Sequence, residues 1–330
     1  MVNKPLLMKI LLISGLVAVT GVVLKPNCAS AGNRETEISQ NTSALTPDVL
    51  MDQAVAAYDR QDYARAFELF QFLAKQGNAV AQSQLALMYS SGAGGIQDKA
   101  LAREWWERAA VQGNAAAQGN LGIMYKTGDG VVRDYARARD WLEKAAAQQN
   151  ATAQYALGDL YELGQGVKQD YVQARNWYEK AAEQGEVGAQ VNLALLYAQG
   201  LGVPQNDQQA RFWLEKAAGQ GDPVAQANLG LLYAEGRGVE QNYATAKAWY
   251  EKAAAQQYAG AQFNLGRLYE QGTGVKQDYA QARNWYEQAA AQGHPTAQLN
   301  LGGLYFYGRG APQDFAKARE WYEKAAAQGS

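Results

Sequence analysis

The stretch that decides the fold reads Ala-Gln-Ala-Asn-Leu-Gly-Leu-Leu-Tyr and occupies residues 225–233. It opens the clearest copy of a 36-residue unit, which runs from Asp222 to Gln257. The Ala-Gln pair returns without slipping every 36 residues, at Gln82, Gln118, Gln154, Gln190, Gln226, Gln262 and Gln298. A fixed period of this length is typical of a helical solenoid. The sequence therefore predicts an all-α chain of stacked helix pairs.

Each unit carries the signals of two helices joined by a glycine turn. In the first helix the apolar residues follow a helical spacing, as Ala117, Leu121 and Met124 do. A Gly-x-Gly-Val turn follows in most copies, and its first glycine can end a helix in the left-handed conformation. The second helix then begins behind a good N-cap residue: Asp98, Asp134, Asp170, Asn206, Asn242, Asp278 or Asp314. We expect about eight such pairs, arranged as an α/α solenoid superhelix of helix-turn-helix repeats.

Two positions of the unit predict how its helices pack. The middle of the first helix always holds a small residue: Ala86, Gly122, Gly158, Ala194, Gly230, Gly266 or Gly302. Because glycine inside a helix costs about 1 kcal/mol relative to alanine, this choice indicates the close approach of a neighbouring helix. The second helix always holds a tryptophan at one position: Trp105, Trp141, Trp177, Trp213, Trp249, Trp285 or Trp321. We expect these tryptophans to be largely buried.

Residues 1–31 have the three parts of a secretory signal peptide. Lys4 and Lys9 give a basic start, residues 10–24 form an uncharged apolar run, and Ala29-Ser30-Ala31 offers a cleavage site. We therefore predict an exported protein, periplasmic or secreted, in a bacterial envelope. In the alternative, the segment stays uncleaved as a membrane anchor, although the run is shorter than the roughly 20 residues of a spanning helix.

Charge and cysteine content fit an exported chain. The sequence has 30 basic and 32 acidic residues, and three lysines leave with the predicted signal peptide, so that the mature net charge is −5. The one cysteine, Cys28, leaves as well, and a chain without cysteine suits an oxidising compartment. The absence of a polybasic patch argues against a nucleic-acid partner.

Residues 32–77 precede the regular units. Residues 32–45 are polar and without apolar period, which is typical of a flexible linker. Residues 46–77 predict a helix pair that begins at Thr46-Pro47 and whose connection contains no glycine. This pair resembles a tetratricopeptide unit, and we expect it to cap the N-terminal end of the array.

Residues 78–330 hold seven regular copies of the unit, and their motif identifies a family. The pattern Ala-x-Ala-Gln-x-x-Leu-Gly-x-x-Tyr-x-x-Gly-x-Gly-Val, followed by Asp-Tyr-x-x-Ala-Arg-x-Trp-Tyr-Glu-Lys-Ala-Ala, resembles the SEL-one-like repeat. That family is a close relative of the tetratricopeptide repeats. The resemblance implies a right-handed superhelix whose first helices line the concave face. It also implies an adaptor or scaffold for protein–protein interaction, of a kind found in bacterial envelopes and signalling.

The residues offer little for catalysis. The motifs Ser-x-x-Lys and Gly-x-Ser-x-Gly are absent, and we interpret the one histidine, His294, as a helix cap. A cysteine-rich branch of the family is linked to β-lactam binding and hydrolysis, but the mature chain lacks its paired cysteines. We therefore predict no enzyme, no cofactor and no metal site. The alternative is an envelope hydrolase or a peptidoglycan- or β-lactam-binding factor resembling that branch.

A row of asparagines is the candidate binding site. It precedes the first-helix leucine at Asn120, Asn192, Asn228, Asn264 and Asn300, and Gln84 and Ala156 interrupt it. Since an asparagine amide both donates and accepts hydrogen bonds, such a row could hold the main chain of an extended peptide in the groove. In the alternative, these asparagines only pack between helices. A nearby position differs from unit to unit, and this variation would let the groove select particular side chains of the ligand. The position holds Lys126, Glu162, Ala198, Ala234, Glu270 and Phe306.

The sequence also suggests a second surface, at the C-terminal end. The last helix lacks an added polar capping helix, so we expect outward residues there, including Trp321 and Tyr322, to be candidates for self-association.

Overall fold

The computed structural model describes residues 46–328, and within them it contains sixteen helices and no strand. The first helices of the eight pairs are α1 (Pro47–Asp59), α3 (Ala79–Ser91), α5 (Ala115–Thr127), α7 (Ala151–Leu163), α9 (Val187–Gln199), α11 (Pro223–Glu235), α13 (Ala259–Gln271) and α15 (Pro295–Tyr307). The second helices are α2 (Tyr63–Lys75), α4 (Lys99–Val111), α6 (Tyr135–Ala147), α8 (Tyr171–Glu183), α10 (Asp207–Gly219), α12 (Tyr243–Ala255), α14 (Tyr279–Ala291) and α16 (Phe315–Ala326). The predicted all-α helical-repeat solenoid is confirmed. The predicted signal peptide (1–31) and linker (32–45) lie outside the described residues.

The described residues divide into two compact units, 46–102 and 103–328, with the division inside α4. In the first unit, Leu50, Phe70, Leu73 and Leu85 are buried between α1, α2 and α3. In the second unit each helix from α5 onward packs against the next along the chain, and a leucine of every first helix is buried. None of the helices within residues 46–328 is both long and apolar enough to cross a membrane.

The predicted caps form at both ends of the helices. Asp134, for example, accepts hydrogen bonds from the backbone amides of Ala136 and Arg137, both at 3.0 Å. Gly164 ends α7 with φ +65°, a left-handed conformation that glycine adopts without steric cost. Each capped end satisfies backbone groups that the helix itself leaves without partners. The unit length is therefore fixed by local signals.

The repeated glutamine holds successive pairs together. Gln154 is 1 % exposed and donates from Nε2 to the carbonyl oxygen of Ala146, near the end of α6. Its Oε1 accepts a 2.7 Å hydrogen bond from Gln184, which caps the end of α8. Gln154 lies on α7, so a single amide links three consecutive helices. A buried amide without partners would be costly, and these hydrogen bonds remove that cost for the glutamine found here in all seven regular copies.

The close approach predicted at the small mid-helix residue is confirmed. A Cβ atom added at Gly158 would lie 2.3 Å from the ring of Tyr178, and one at Gly266 would lie 2.5 Å from the ring of Tyr286. The ring that passes over each glycine belongs to the second helix of the same pair. That ring is buried, with Tyr178 and Tyr286 each 0 % exposed.

The expectation that the tryptophans are largely buried holds only in part. Only Trp213 of that position is buried, at 6 % exposure, and the other six are half-buried. A basic side chain covers the outer face of most of the rings; Lys180 Nζ, for example, lies 4.2 Å from the ring centroid of Trp177. In six of the seven regular units the residue that follows the tryptophan is buried, as Tyr178 and Leu214 are, whereas Tyr322 is half-buried.

Candidate functional site

The candidate site is the surface formed by the first helices within residues 103–330, which we call the helix A face. Here the first helices of successive pairs touch directly. Lys126 of α5 pairs with Asp159 of α7, and the amide of Asn192 of α9 donates to the same carboxylate at 3.4 Å. Side chains that lie 33 residues apart are therefore neighbours on this face.

All five asparagines of the predicted row are half-buried, but they do not share one environment. Three donate from Nδ2 within the protein: Asn192 to Asp159, Asn228 to the carbonyl oxygen of Val224, and Asn300 to the hydroxyl of Tyr286. Asn120 and Asn264 make no hydrogen bond to any part of residues 46–328. The row therefore combines packed and free amides, and ligand binding by it stays a prediction.

A polar cluster surrounds the hydroxyl of Tyr178. Because Gly158 has no side chain, the tyrosine ring lies against α7 and its hydroxyl reaches the helix A face. The hydroxyl lies 2.8 Å from Asp159 Oδ1 and 2.7 Å from Glu162 Oε2, and Lys126 neutralises Asp159. Burial and the two carboxylates raise the pKa of Tyr178. The phenol therefore stays protonated and serves as a hydrogen-bond donor.

The same arrangement returns around Tyr286. Its ring passes over Gly266, its hydroxyl donates to Glu270, and it accepts a hydrogen bond from Asn300 at 3.1 Å. Burial and the Glu270 carboxylate raise the pKa of Tyr286. We call the sites around Tyr178 and Tyr286 the closed junctions, because a carboxylate of the chain itself accepts the hydrogen bond of each hydroxyl.

Between them lies a third tyrosine whose hydroxyl has no such acceptor. Tyr250 is 2 % exposed, and its ring passes over Gly230 in the same manner. The position that holds Glu162 and Glu270 in the closed junctions is Ala234 here. Within residues 46–328 the hydroxyl of Tyr250 makes no hydrogen bond. We call the site formed by Tyr250, Asn264 and Arg267 the open junction.

Sequence reasoning missed these tyrosine hydroxyls, although a signal for them exists. A tyrosine follows twenty residues after the mid-helix glycine in four pairs: Gly158 and Tyr178, Gly230 and Tyr250, Gly266 and Tyr286, and Gly302 and Tyr322. Where the small residue is Ala194, the partner is the shorter Leu214. The pairing of glycine with tyrosine thus indicates which rings can cross the first helix.

The flanks of the row differ in exposure. Leu195 and Leu231 are half-buried apolar residues near the middle of the row. Phe306 and Tyr307 on α15 are 41 % and 65 % exposed and stack edge to face. Trp321 and Tyr322 are half-buried on α16, and self-association through them stays a prediction.

His294 caps α15, as its place in the unit predicts. Its Nδ1 accepts a 3.2 Å hydrogen bond from the backbone amide of Ala297, and its ring stacks on Phe263 at 4.6 Å. Burial lowers the pKa of His294. No group of three or more histidine, cysteine or acidic side chains close enough to hold a metal ion occurs within residues 46–328.

Comparison with known families accounts for this architecture. The sequence model of the Sel1 repeat matches eight segments: 58–78, 79–114, 115–150, 151–186, 187–222, 223–258, 259–294 and 295–330. The chain belongs to the Sel1 repeat family. The first matched segment falls within the helix pair predicted to be tetratricopeptide-like. Sel1 repeats are typically non-catalytic and mediate protein–protein interaction.

Two solved Sel1 repeat structures resemble the chain over most of its length. A protective antigen of uropathogenic Escherichia coli with an SLR fold is 36% identical, with a TM-score of 0.76 over 90% of this chain and 64% of the antigen. A Sel1 repeat protein of Oxalobacter formigenes is 35% identical, with a TM-score of 0.65 over 85% of this chain and 87% of that protein. The chain thus spans about two thirds of the length of the E. coli antigen. A comparison with curated proteins found no match.

Proposed function

We propose that this protein is an exported, non-catalytic scaffold that holds an extended peptide segment of a partner protein along the helix A face. The observation that carries the proposal is the asparagine row, which presents half-buried amides at a 36-residue interval on neighbouring helices. Main-chain amides of an extended peptide present donors and acceptors at a regular spacing as well. The row therefore suits a ligand that is recognised first by its backbone.

The hydrogen-bonding capacity of the row supports this function. An asparagine side chain carries two N–H groups and an acceptor oxygen, so Asn192, Asn228 and Asn300 retain capacity after the one bond that each donates. Asn120 and Asn264 keep all of theirs within the described part of the chain. Because the five side chains are half-buried, they are partly fixed before a ligand arrives, and binding then orders fewer rotamers.

The flanks would select the side chains of the peptide. Leu195 and Leu231 offer apolar contact in the middle of the row, and the exposed Phe306 and Tyr307 offer aromatic contact at its end. At the other end Lys126 and Asp159 neutralise each other. A peptide with apolar residues along most of its length fits this sequence of flanks.

The experiment is a calorimetric titration with a peptide selected from a random library on residues 32–330. Each neutral hydrogen bond contributes about 0.5–1.5 kcal/mol, so replacing Asn192, Asn228 and Asn264 together with alanine should weaken binding roughly 10- to 1000-fold. The matched control is Asn284→Ala, an exposed asparagine on the second helix α14, which should leave the affinity unchanged.

Circular dichroism must show the same helicity for all three proteins. Equal affinity of the wild type and the triple variant would contradict the proposal and leave the asparagines with a packing role. Export is tested separately by mass spectrometry of the mature N-terminus, which we expect at Gly32.

A further inference from the structure

The closed junctions show which group the tyrosine and asparagine of this scaffold bind. At Tyr286 the hydroxyl donates to a carboxylate oxygen of Glu270, and the amide of Asn300 from the next pair donates to the hydroxyl. At Tyr178 the hydroxyl faces two carboxylates, and the amide of Asn192 donates to one of them. In both cases a carboxylate of the chain itself accepts the hydrogen bond of the tyrosine hydroxyl, and an asparagine amide of the next pair completes the cluster.

The open junction keeps these donors and lacks the carboxylate. Tyr250 and Asn264 are spaced as Tyr286 and Asn300 are, fourteen residues apart. The acceptor positions hold Ala234 and Leu231, where the closed junction at Tyr178 has Glu162 and Asp159. Tyr250 is 2 % exposed as a whole residue, and its hydroxyl oxygen is the part that reaches the solvent. Within residues 46–328 this hydroxyl has no hydrogen-bond partner, so it is free to donate to a ligand.

A positive charge stands beside these donors. Arg267 is exposed on α13, one helical turn after Asn264, and forms no ion pair with any residue that the structure describes. The other cation on the first helices of residues 79–307, Lys126, is already paired with Asp159. Burial raises the pKa of Tyr250, and the charge of Arg267 opposes that shift, as it does for Tyr286. The positive charge of the guanidinium therefore lies close enough to both hydroxyls to affect their ionisation.

We propose that the open junction is a binding site for a carboxylate of the partner peptide, held by the Tyr250 hydroxyl, the Asn264 amide and the Arg267 guanidinium. The proposal rests on the proposed function and names one side chain of the ligand. The exogenous carboxylate takes the place that Glu270 occupies in the closed junction. Charge-assisted hydrogen bonds of this kind are about twice as strong as neutral ones, so the site anchors the register of the peptide.

The carboxylate can belong to an acidic side chain or to a peptide C-terminus. Three blocked or free pentapeptides separate these sources: acetyl-Ala-Ala-Glu-Ala-Ala-amide, its glutamine counterpart, and acetyl-Ala-Ala-Ala-Ala-Ala with a free C-terminus. Each is titrated to about 20 mM at constant ionic strength, because a single weak site has a Kd in the millimolar range. The side-chain amide signals of Asn264 and Asn192 are followed by nitrogen-15 NMR.

We expect the glutamate peptide, the free C-terminus or both to shift the Asn264 signal saturably, and the glutamine peptide not to shift it. Arg267→Gln should raise the Kd at least about tenfold, since a charge-assisted hydrogen bond is lost. Lys126→Gln, which removes a cation from the same face, should leave the Kd unchanged. Ala234→Glu should abolish binding, because it supplies the carboxylate from within the chain as Glu270 does.

Several results would overturn the carboxylate site. They are equal shifts with the glutamate and glutamine peptides, shifts that persist in Ala234→Glu, and no shift with any peptide. If the glutamine peptide shifts the amide signals of Asn264 and Asn192 as strongly as the glutamate peptide does, the carboxylate site is contradicted and the peptide groove stands. If only carboxylates bind, and the selected peptides bind a variant with Asn192→Ala and Asn228→Ala, which keeps Asn264, as tightly as they bind the wild type, the peptide groove is contradicted and the carboxylate site stands. Backbone amide spectra of each variant confirm that the fold is intact.

Discussion

The closed junction at Tyr178 and the open junction at Tyr250 have the same backbone and the same buried ring, and they differ in what meets the hydroxyl. In the first, Asp159 and Glu162 accept the hydrogen bond, whereas in the second Leu231 and Ala234 occupy those positions. The glycine that admits the ring is present in both. The comparison teaches that a tyrosine ring crosses the first helix where a glycine makes room for it, and that the half-buried positions around the hydroxyl differ between the two junctions.

The largest expected effect tests the packing of the tyrosine ring on glycine, which the two junctions share. Gly158→Ala and Gly230→Ala should both destabilise the fold by about 1–3 kcal/mol, because the new methyl group would lie 2.3 Å and 2.7 Å from a tyrosine ring. Urea unfolding measures the loss. The control is Gly303→Ala, where the nearest atom lies 3.7 Å away and the better helix propensity of alanine should stabilise α15 by up to about 1 kcal/mol. A stabilised Gly230→Ala would show that the two junctions do not share their packing.

The next effect separates the junctions. Tyr178→Phe and Tyr286→Phe should each cost about 1.5 kcal/mol, because they remove a hydrogen bond to a carboxylate. Tyr250→Phe should be neutral, or stabilising by a few tenths of a kcal/mol, because its hydroxyl has no partner to lose within the described residues. Chemical unfolding of the three variants provides the measurement. Equal losses at all three positions would contradict the distinction between open and closed.

Alkaline pH should weaken the fold through the same tyrosines. Burial raises the pKa of Tyr178, Tyr250 and Tyr286 above the ordinary value of 10.0. Above pH 10 the unfolded chain loses these protons before the folded chain does, so stability is complete below pH 10 and falls as the pH rises further. Each group contributes a slope of up to about 1.4 kcal/mol per pH unit. Unfolding curves between pH 9 and pH 11 should show a smaller slope for each Tyr→Phe variant.

The smallest effect concerns the start of α15, the helix that carries Asn300 of the second closed junction. Burial lowers the pKa of His294 below 6.5, and its cap requires the neutral ring. Stability should therefore be complete above pH 6.5 and fall by up to about 1 kcal/mol as the pH drops through that value toward the folded pKa. His294→Asn keeps a capping side chain, as Asn114 and Asn150 do, and should remove this pH dependence. Melting curves at pH 5 and pH 7 give the comparison.

The sequence by itself determined the repeat, the helix pairs and their ends. These features depend on residues that act locally: the Asp134 cap works through its own next amides, and Gly164 ends α7 through its own φ angle. Because every copy repeats the same local signals with a period of 36 residues, this one sequence is enough to identify the repeat family. The close approach at Gly158 could be predicted as well, since a helix interior accepts glycine only for a reason.

Only the tertiary structure decided which side chains meet. The sequence led us to expect the tryptophans in the core, yet in six of the seven regular units the adjacent position is the more deeply buried one. Neighbouring positions of a helix are rotated by only about 100°, and a motif in which both are apolar does not show which of them faces the core. It also treated the asparagines as one equivalent row. Asn192, Asn264 and Asn300 differ because their partners come from other helices, at Asp159 and Tyr286, or are missing, as at Ala234. Contacts between residues 14 to 33 positions apart depend on how the helices stack, and that stacking brings each tyrosine hydroxyl to the positions whose side chains make a junction open or closed.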